Sequence, residues 1–193
     1  MEEKIAVQDI VWNKINDLQH NKLSQSTSGL MAELRRGVNQ PPGSLPGIWG
    51  ITLGELQEKG LSNTGYPTAD EWAIHLSLTL FALHQGNKDM QHGLVSVTGY
   101  SIGRSARLLV EANKGSESSI RRQMNSLITA NDIEEIAIFL RSFIKRFSNE
   151  GIPLDYPQLA KDLKLLQDME AKRNVILKWA QDYASKRKDQ ENE

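Results

Sequence analysis

A chain of 193 residues, 39% hydrophobic and 24% charged, is long enough to bury a core as one large domain or two small ones. It contains no cysteine, which excludes disulfides, thiolate zinc sites and cysteine nucleophiles. The net charge of −1 argues against a protein that coats nucleic acid indiscriminately, but a near-zero sum can hide local patches. Residues 1–93 carry 7 Lys and Arg against 10 Asp and Glu, whereas residues 94–130 carry Arg104, Arg107, Lys114, Arg121 and Arg122 against Glu111 and Glu117 alone. The first residues, MEEKIAVQDIVW, form no apolar h-region, so no signal peptide is expected. The longest apolar-rich stretch, Trp72 to Leu83, is interrupted by His75, Ser77 and Thr79 and is too short to span a membrane. A cytoplasmic placement is expected.

Val7, Ile10, Val11, Ile15 and Leu18 recur at helical spacing and predict a helix over about 3–20. A second helix, SGLMAELRR, stops at Gly37, a residue that commonly closes helices. NQPPGSLPG (39–47) reads as a loop, and a short helix is expected at about 51–59. Ile74, Leu76, Leu78 and Leu80 alternate like a strand, yet Thr68 with Glu71 forms a capping-box pattern and Gly86 ends the segment. That frame is too long for an ordinary strand, so a helix apolar on most sides is expected there. Residues 86–99 are expected to be a loop carrying a boundary between an N-terminal bundle (1–93) and a C-terminal bundle (94–193). Five further helices are expected at about 100–113, 117–129, 132–149, 155–167 and 169–188. Ile136, Leu140, Phe143 and Phe147 stripe the third of these, and Val175, Ile176, Trp179 and Tyr183 line the last. The class is therefore all-α, with about nine helices in two packed bundles.

The common catalytic signatures are missing. The sequence holds no phosphate-loop motif, no HExxH zinc helix and no nucleophile elbow. GYSIGRS (99–105) has two glycines but no lysine and no preceding strand. His75 and His84 are nine residues apart, on opposite sides of a helix, so they cannot share a metal unaided. Glu71 and His75 are spaced to pair and read first as a satisfied polar pair at a bundle edge; the alternative makes them, with His84, the polar centre of a small helical enzyme. The four tryptophans, Trp12, Trp49, Trp72 and Trp179, each read better as core than as stacking platforms. No cofactor, metal or catalytic residue is assigned.

The arginines point elsewhere. Arg35 and Arg36 end a helix. Arg104 and Arg107 share one, Arg121 and Arg122 open the next, and Arg141 and Lys145 lie four apart on the one after, which also carries Arg146. Side chains of this kind read nucleic-acid backbones, because each phosphate contact releases condensed counterions and a guanidinium fits phosphate geometry. Clusters of this size also occur as solvated faces or ion pairs, or in protein–protein contacts of a structural adaptor.

The blocks LMAELRRG (30–37), LPGIW (45–49), EWAIHLSLTLFALHQ (71–85), GYSIGRSARLL (99–109), SIRRQMNSLITAND (119–132), LRSFIKRFSNEGIPLDYPQLAKDL (140–163) and VILKWAQDY (175–183) decide between these readings. In order and coverage they resemble the small subunit of the type I-E CRISPR surveillance complex Cascade, the CasB family. The resemblance implies an all-helical, non-catalytic subunit of an RNA-guided antiviral complex. It implies backbone and large Cascade subunits, a guide crRNA and a second copy of the chain as partners. It also implies sequence-independent contacts that stabilise the target and displaced DNA strands of an R-loop. Carried over by block, Arg35, Arg36, Arg104, Arg121, Arg122 and Arg141 become the expected phosphate contacts. Arg107, Lys114 and Lys145 join them on local charge. Position 105 is serine and Glu111 and Glu117 follow it, so binding is expected to depend on the assembled complex.

Overall fold

The computed structural model describes residues 5–23, 26–56, 60–112 and 117–185. Among them are nine α-helices: α1 (Val7–Gln19), α2 (Thr27–Arg36), α3 (Trp49–Thr52), α4 (Ala69–Gln85), α5 (Ile102–Ala112), α6 (Glu117–Thr129), α7 (Ile133–Glu150), α8 (Tyr156–Leu165) and α9 (Met169–Ala184). A 3₁₀ turn, Pro46–Ile48, precedes α3. No strand occurs among the described residues; one isolated parallel bridge joins Ser96 to Leu154. The chain is all-α.

Local signals set most helix ends. The Thr68 hydroxyl accepts from the Glu71 amide, and the Glu71 carboxylate accepts from the Thr68 amide at 2.6 Å, completing the capping box of α4. Asp132, Asp155 and Asp168 cap α7, α8 and α9 by accepting from amides in the first turn, which satisfies donors that a helix N-terminus leaves unpaired. Gly151 ends α7 in the left-handed region at φ 66°, where a Cβ is costly.

Helix α4 is the hub. It packs against α1, α2, α3, α7 and α8, which explains its apolar character on every side. The alternation of Ile74, Leu76, Leu78 and Leu80 samples a helix buried all round, with each of these four side chains at most 1% exposed. Helix α8 packs on α1 and α4, while α5, α6 and α7 pack on one another and α9 packs on α5. The α4–α7 and α8–α9 contacts join these groups.

Three local expectations are corrected. The short helix lies earlier than 51–59: the turn opens at Pro46, whose ring favours a first helical position, and α3 ends at Thr52, before Gly54. Residues 57–59 lie outside the described residues. The last helix ends at Ala184 rather than 188, and residues 186–188 lie outside the described residues. Two tryptophans are not core: Trp12 is 57% exposed and Trp49 48%, whereas Trp72 and Trp179 are buried. Trp12 falls opposite the buried row Val7, Ile10, Val11, Ile15 and Leu18 of α1. Trp49 instead donates its indole N–H to the Gly43 carbonyl at 2.8 Å.

Candidate nucleic-acid interface

The two most distinctive sequence blocks form scaffold. The loop 94–100 is laced to 152–155: Leu154 N–H donates to Val95 O at 3.0 Å, Val97 N–H to Leu154 O at 3.1 Å, and Asp155 N–H to Tyr100 O at 2.8 Å. The Asp155 carboxylate accepts from Gly99 N–H at 2.7 Å, and Ser105 Oγ donates to Pro153 O at 2.6 Å. Gly103 sits where α5 crosses α9, so close that a Cβ would fall 2.0 Å from the Trp179 carbonyl oxygen. The glycines of GYSIGRS serve backbone conformation and close packing.

The polar groups that would centre an enzyme are dispersed. Glu71 and His75 do not pair, contrary to expectation: the capping box and Ser62 N–H, at 3.1 Å, occupy the Glu71 carboxylate. His75 is fully buried and meets the Gly37 carbonyl through Nε2 at 3.2 Å. His84 faces Tyr156, Nδ1 to the phenol oxygen at 3.0 Å, and that phenol donates to Leu80 O. Desolvation holds both imidazoles below their ordinary pKa, His84 at about 4, so they are neutral packing elements. Asp162 accepts from Trp179 Nε1 and Gln158 Nε2, each at 2.7 Å. Burial nevertheless raises its pKa to about 6.

The predicted cations divide by surroundings. Arg35 donates to the Gly86 carbonyl at 2.9 Å, fastening α2 to the end of α4. Arg36 pairs with Glu33, Arg107 with Glu111 and Arg121 with Glu117, each about one turn away on its own helix. Arg104 lies over the Tyr100 ring, 4.0 Å from its centroid, and donates to Gly99 O. Arg141 is half-buried, and its Nε has no hydrogen-bond partner among the described residues. Arg122 and Lys145 are exposed, and among the described residues neither side chain has a hydrogen bond or ion pair. Lys114 lies outside the described residues.

Six of these side chains come from three mutually packed helices: Arg104 and Arg107 from α5, Arg121 and Arg122 from α6, and Arg141 and Lys145 from α7. Arg35 and Arg36 stand apart on α2. Between α6 and α7 runs a groove of about 400 Å³ lined by Ser119, Arg122, Gln123, Ser126, Phe139 and Ser142. Arg146 donates to Gln123 Oε1 at 2.7 Å, and Gln123 Nε2 donates to Ser142 Oγ at 3.0 Å. Charge alone does not reveal Gln123, Phe139 or Ser142. The spacing Ser119, Arg122/Gln123, Ser126 on α6 is the available signal.

The profile of the CRISPR-associated protein Cse2 family matches residues 30–183, most of the chain. The chain belongs to the Cse2 family. Its fold is similar to that of CasB from Thermobifida fusca, at 21% identity and a TM-score of 0.76, covering 95% of this chain and 100% of that one. M. ruber CasB is similar at 22% identity and a TM-score of 0.67, with 93% of each chain covered. A Cse2-family protein from Thermus thermophilus follows at 20% identity and a TM-score of 0.63, covering 90% of this chain and 96% of that one. No curated protein sequence matches significantly. Membership of the Cse2 family supports a CRISPR-associated subunit of Cascade. Among the described residues, no helix is long and apolar enough to cross a membrane.

Proposed function

We propose that this Cse2-family protein is the non-catalytic small subunit of a type I-E RNA-guided DNA-surveillance complex. In that role it holds the target and displaced strands of the R-loop through sequence-independent backbone contacts. Its partners are the backbone and large subunits, the crRNA and a second copy of itself. The observation that carries the reading is the family match together with the packing of α5, α6 and α7, which gathers six predicted cations onto three adjoining helices. Arg122 and Lys145 lead the set, because their charges are exposed and no carboxylate pairs with them among the described residues. A charge already engaged by an acid neutralises a phosphate less effectively than one that is not.

The test is the salt dependence of target-DNA binding by the assembled complex. Replacing Arg122 and Lys145 by Ala lowers affinity and flattens the log–log salt slope by about one unit for each phosphate no longer neutralised. Unchanged slope and affinity remove both residues from the interface. A second reading, a structural adaptor, is favoured by the intrahelical pairing of Arg36, Arg107 and Arg121 and by the exposure of Trp12 and Trp49. Under it, reversing the charge of Arg122 and Lys145 displaces the subunit from the complex rather than weakening DNA binding.

A further inference from the structure

The groove between α6 and α7 has a composition that backbone contacts do not require. Phosphate neutralisation needs only cations. This groove places one aromatic side chain, Phe139 of α7, among three hydroxyls and one amide, with Arg122 on the α6 side. Residues Ser119, Arg122, Gln123 and Ser126 share one face of α6, and Phe139, Ser142 and Arg146 share one face of α7. Phe139 is partly buried, so its packing fixes the ring while part of it faces the groove. A chain of donors from Arg146 to Gln123 to Ser142 links α6 to α7 beside the groove; it uses the Gln123 side chain at both ends and leaves the Ser142 hydroxyl hydrogen available. Ser126 Oγ donates to Arg122 O at 3.2 Å, so its remaining capacity is as an acceptor. Donors and acceptors thus line a recess of about 400 Å³, within the range of roughly 300–1,000 Å³ usual for small-ligand sites.

We infer that this groove seats one unstacked nucleobase of a single strand, with the base against Phe139, its edge on the Ser hydroxyls, and its phosphate on Arg122. The inference rests on the nucleic-acid reading above and deepens it: the strand engaged here is single rather than paired. A base within a duplex is stacked on both faces and has no surface to offer Phe139. An unpaired base does, and stacking on an aromatic side chain tolerates every base because each has a π-face. The hydroxyl edge, which both donates and accepts, likewise fits any base. This matches a role in which base pairing elsewhere supplies sequence specificity.

The experiment uses the assembled crRNA-bearing complex with target DNA carrying 2-aminopurine at successive positions, first in the displaced strand and then in the target strand. The expected result is a local fluorescence change at one or two neighbouring positions of one strand. Phe139→Leu, which keeps apolar bulk without the ring, abolishes that change and weakens R-loop retention about tenfold. Phe139→Tyr preserves both, and thermal melting of the isolated full chain confirms that either variant folds. If Phe139→Leu leaves the signal intact while Arg122→Ala still flattens the salt slope, the base-seating inference is overturned and the backbone-contact function stands. If Phe139→Leu instead releases the subunit from the complex, the groove holds a protein partner and the inference is also overturned. If neither Arg122→Ala nor Phe139→Leu affects DNA binding, both readings fail.

Discussion

Replacing Gly103 by Ala tests the close packing of α5, one of the three cation-bearing helices, on α9. A Cβ at this position would lie 2.0 Å from the Trp179 carbonyl oxygen, 2.8 Å from its carbonyl carbon and 3.0 Å from its Cα. All three are backbone atoms, so no side chain can swing aside; α5 and α9 must separate. Separation also strains the Ser101 bond to Asp182, which ties the start of α5 to α9, while the Trp179 indole bond to Asp162 holds α9 on α8 and resists its retreat. Overpacking of a filled interior costs about 1–3 kcal/mol, and a clash against backbone belongs at the upper end, near 3 kcal/mol. For a chain of this length each kcal/mol lowers Tm by about 2–4 °C, so the expected fall is about 6–12 °C by calorimetry or circular dichroism. Gly29→Ala is the control: its nearest neighbour would be the Ser26 Cβ at 3.9 Å, and alanine at an exposed helical site raises stability by up to about 1 kcal/mol. Equal Tm values for the two variants would refute the close crossing of α5 and α9.

Asp162 gives the pH dependence its sign. Burial raises its folded-state pKa to about 6, so its contribution to stability is full below the ordinary carboxylate value and is lost as pH rises through about 6. Asp162→Asn therefore removes a stability decline between about pH 4 and 7, read as urea midpoints across that range; a constant difference from the unmodified chain would contradict the assignment. Tyr156→Phe strands the buried His84 Nδ1 and removes a second hydrogen bond from the Leu80 carbonyl, which sits inside α4, and is expected to cost about 1–3 kcal/mol by denaturant unfolding. Trp12→Ser, at an exposed position, is expected to shift stability by about 0.5 kcal/mol or less, and a larger loss would place Trp12 in the core after all.

The elements most legible in the sequence are those whose ends are chemically local. Thr68 with Glu71, Asp132 and Asp155 announce helices because the same side chains that appear in the pattern close the backbone donors in space. For α4, length and cap outweigh an alternating pattern, and the helix forms. The 3₁₀ turn that leads into α3 is hard to see because Pro46 lies inside a segment rich in loop residues. Trp12 looks like core by residue type, and only its position opposite the apolar row of α1 reveals that it faces out. The packing of α8 on α1 and α4 leaves no trace in local periodicity, since an amphipathic stripe states that a partner exists and not which one. The candidate site is legible in part. Arginine runs flag Arg121 and Arg122, but only the folded chain separates Arg121, paired with Glu117, from Arg122, which has no such partner among the described residues. Gln123, Phe139 and Ser142 carry no charge signal and become a groove only when α6 lies against α7.

The central claim, that this subunit stabilises an R-loop by backbone contacts, is tested most directly by comparing crRNA-bearing complexes assembled with the native chain, without it, and with the Arg122→Ala, Lys145→Ala variant. The quantity to measure is the lifetime of the R-loop on target DNA as a function of salt. The account predicts a shorter lifetime without the subunit and an intermediate one with the variant, the deficit of the variant narrowing as salt rises. Identical lifetimes across all three complexes, with the subunit fully incorporated where it was supplied, would contradict it.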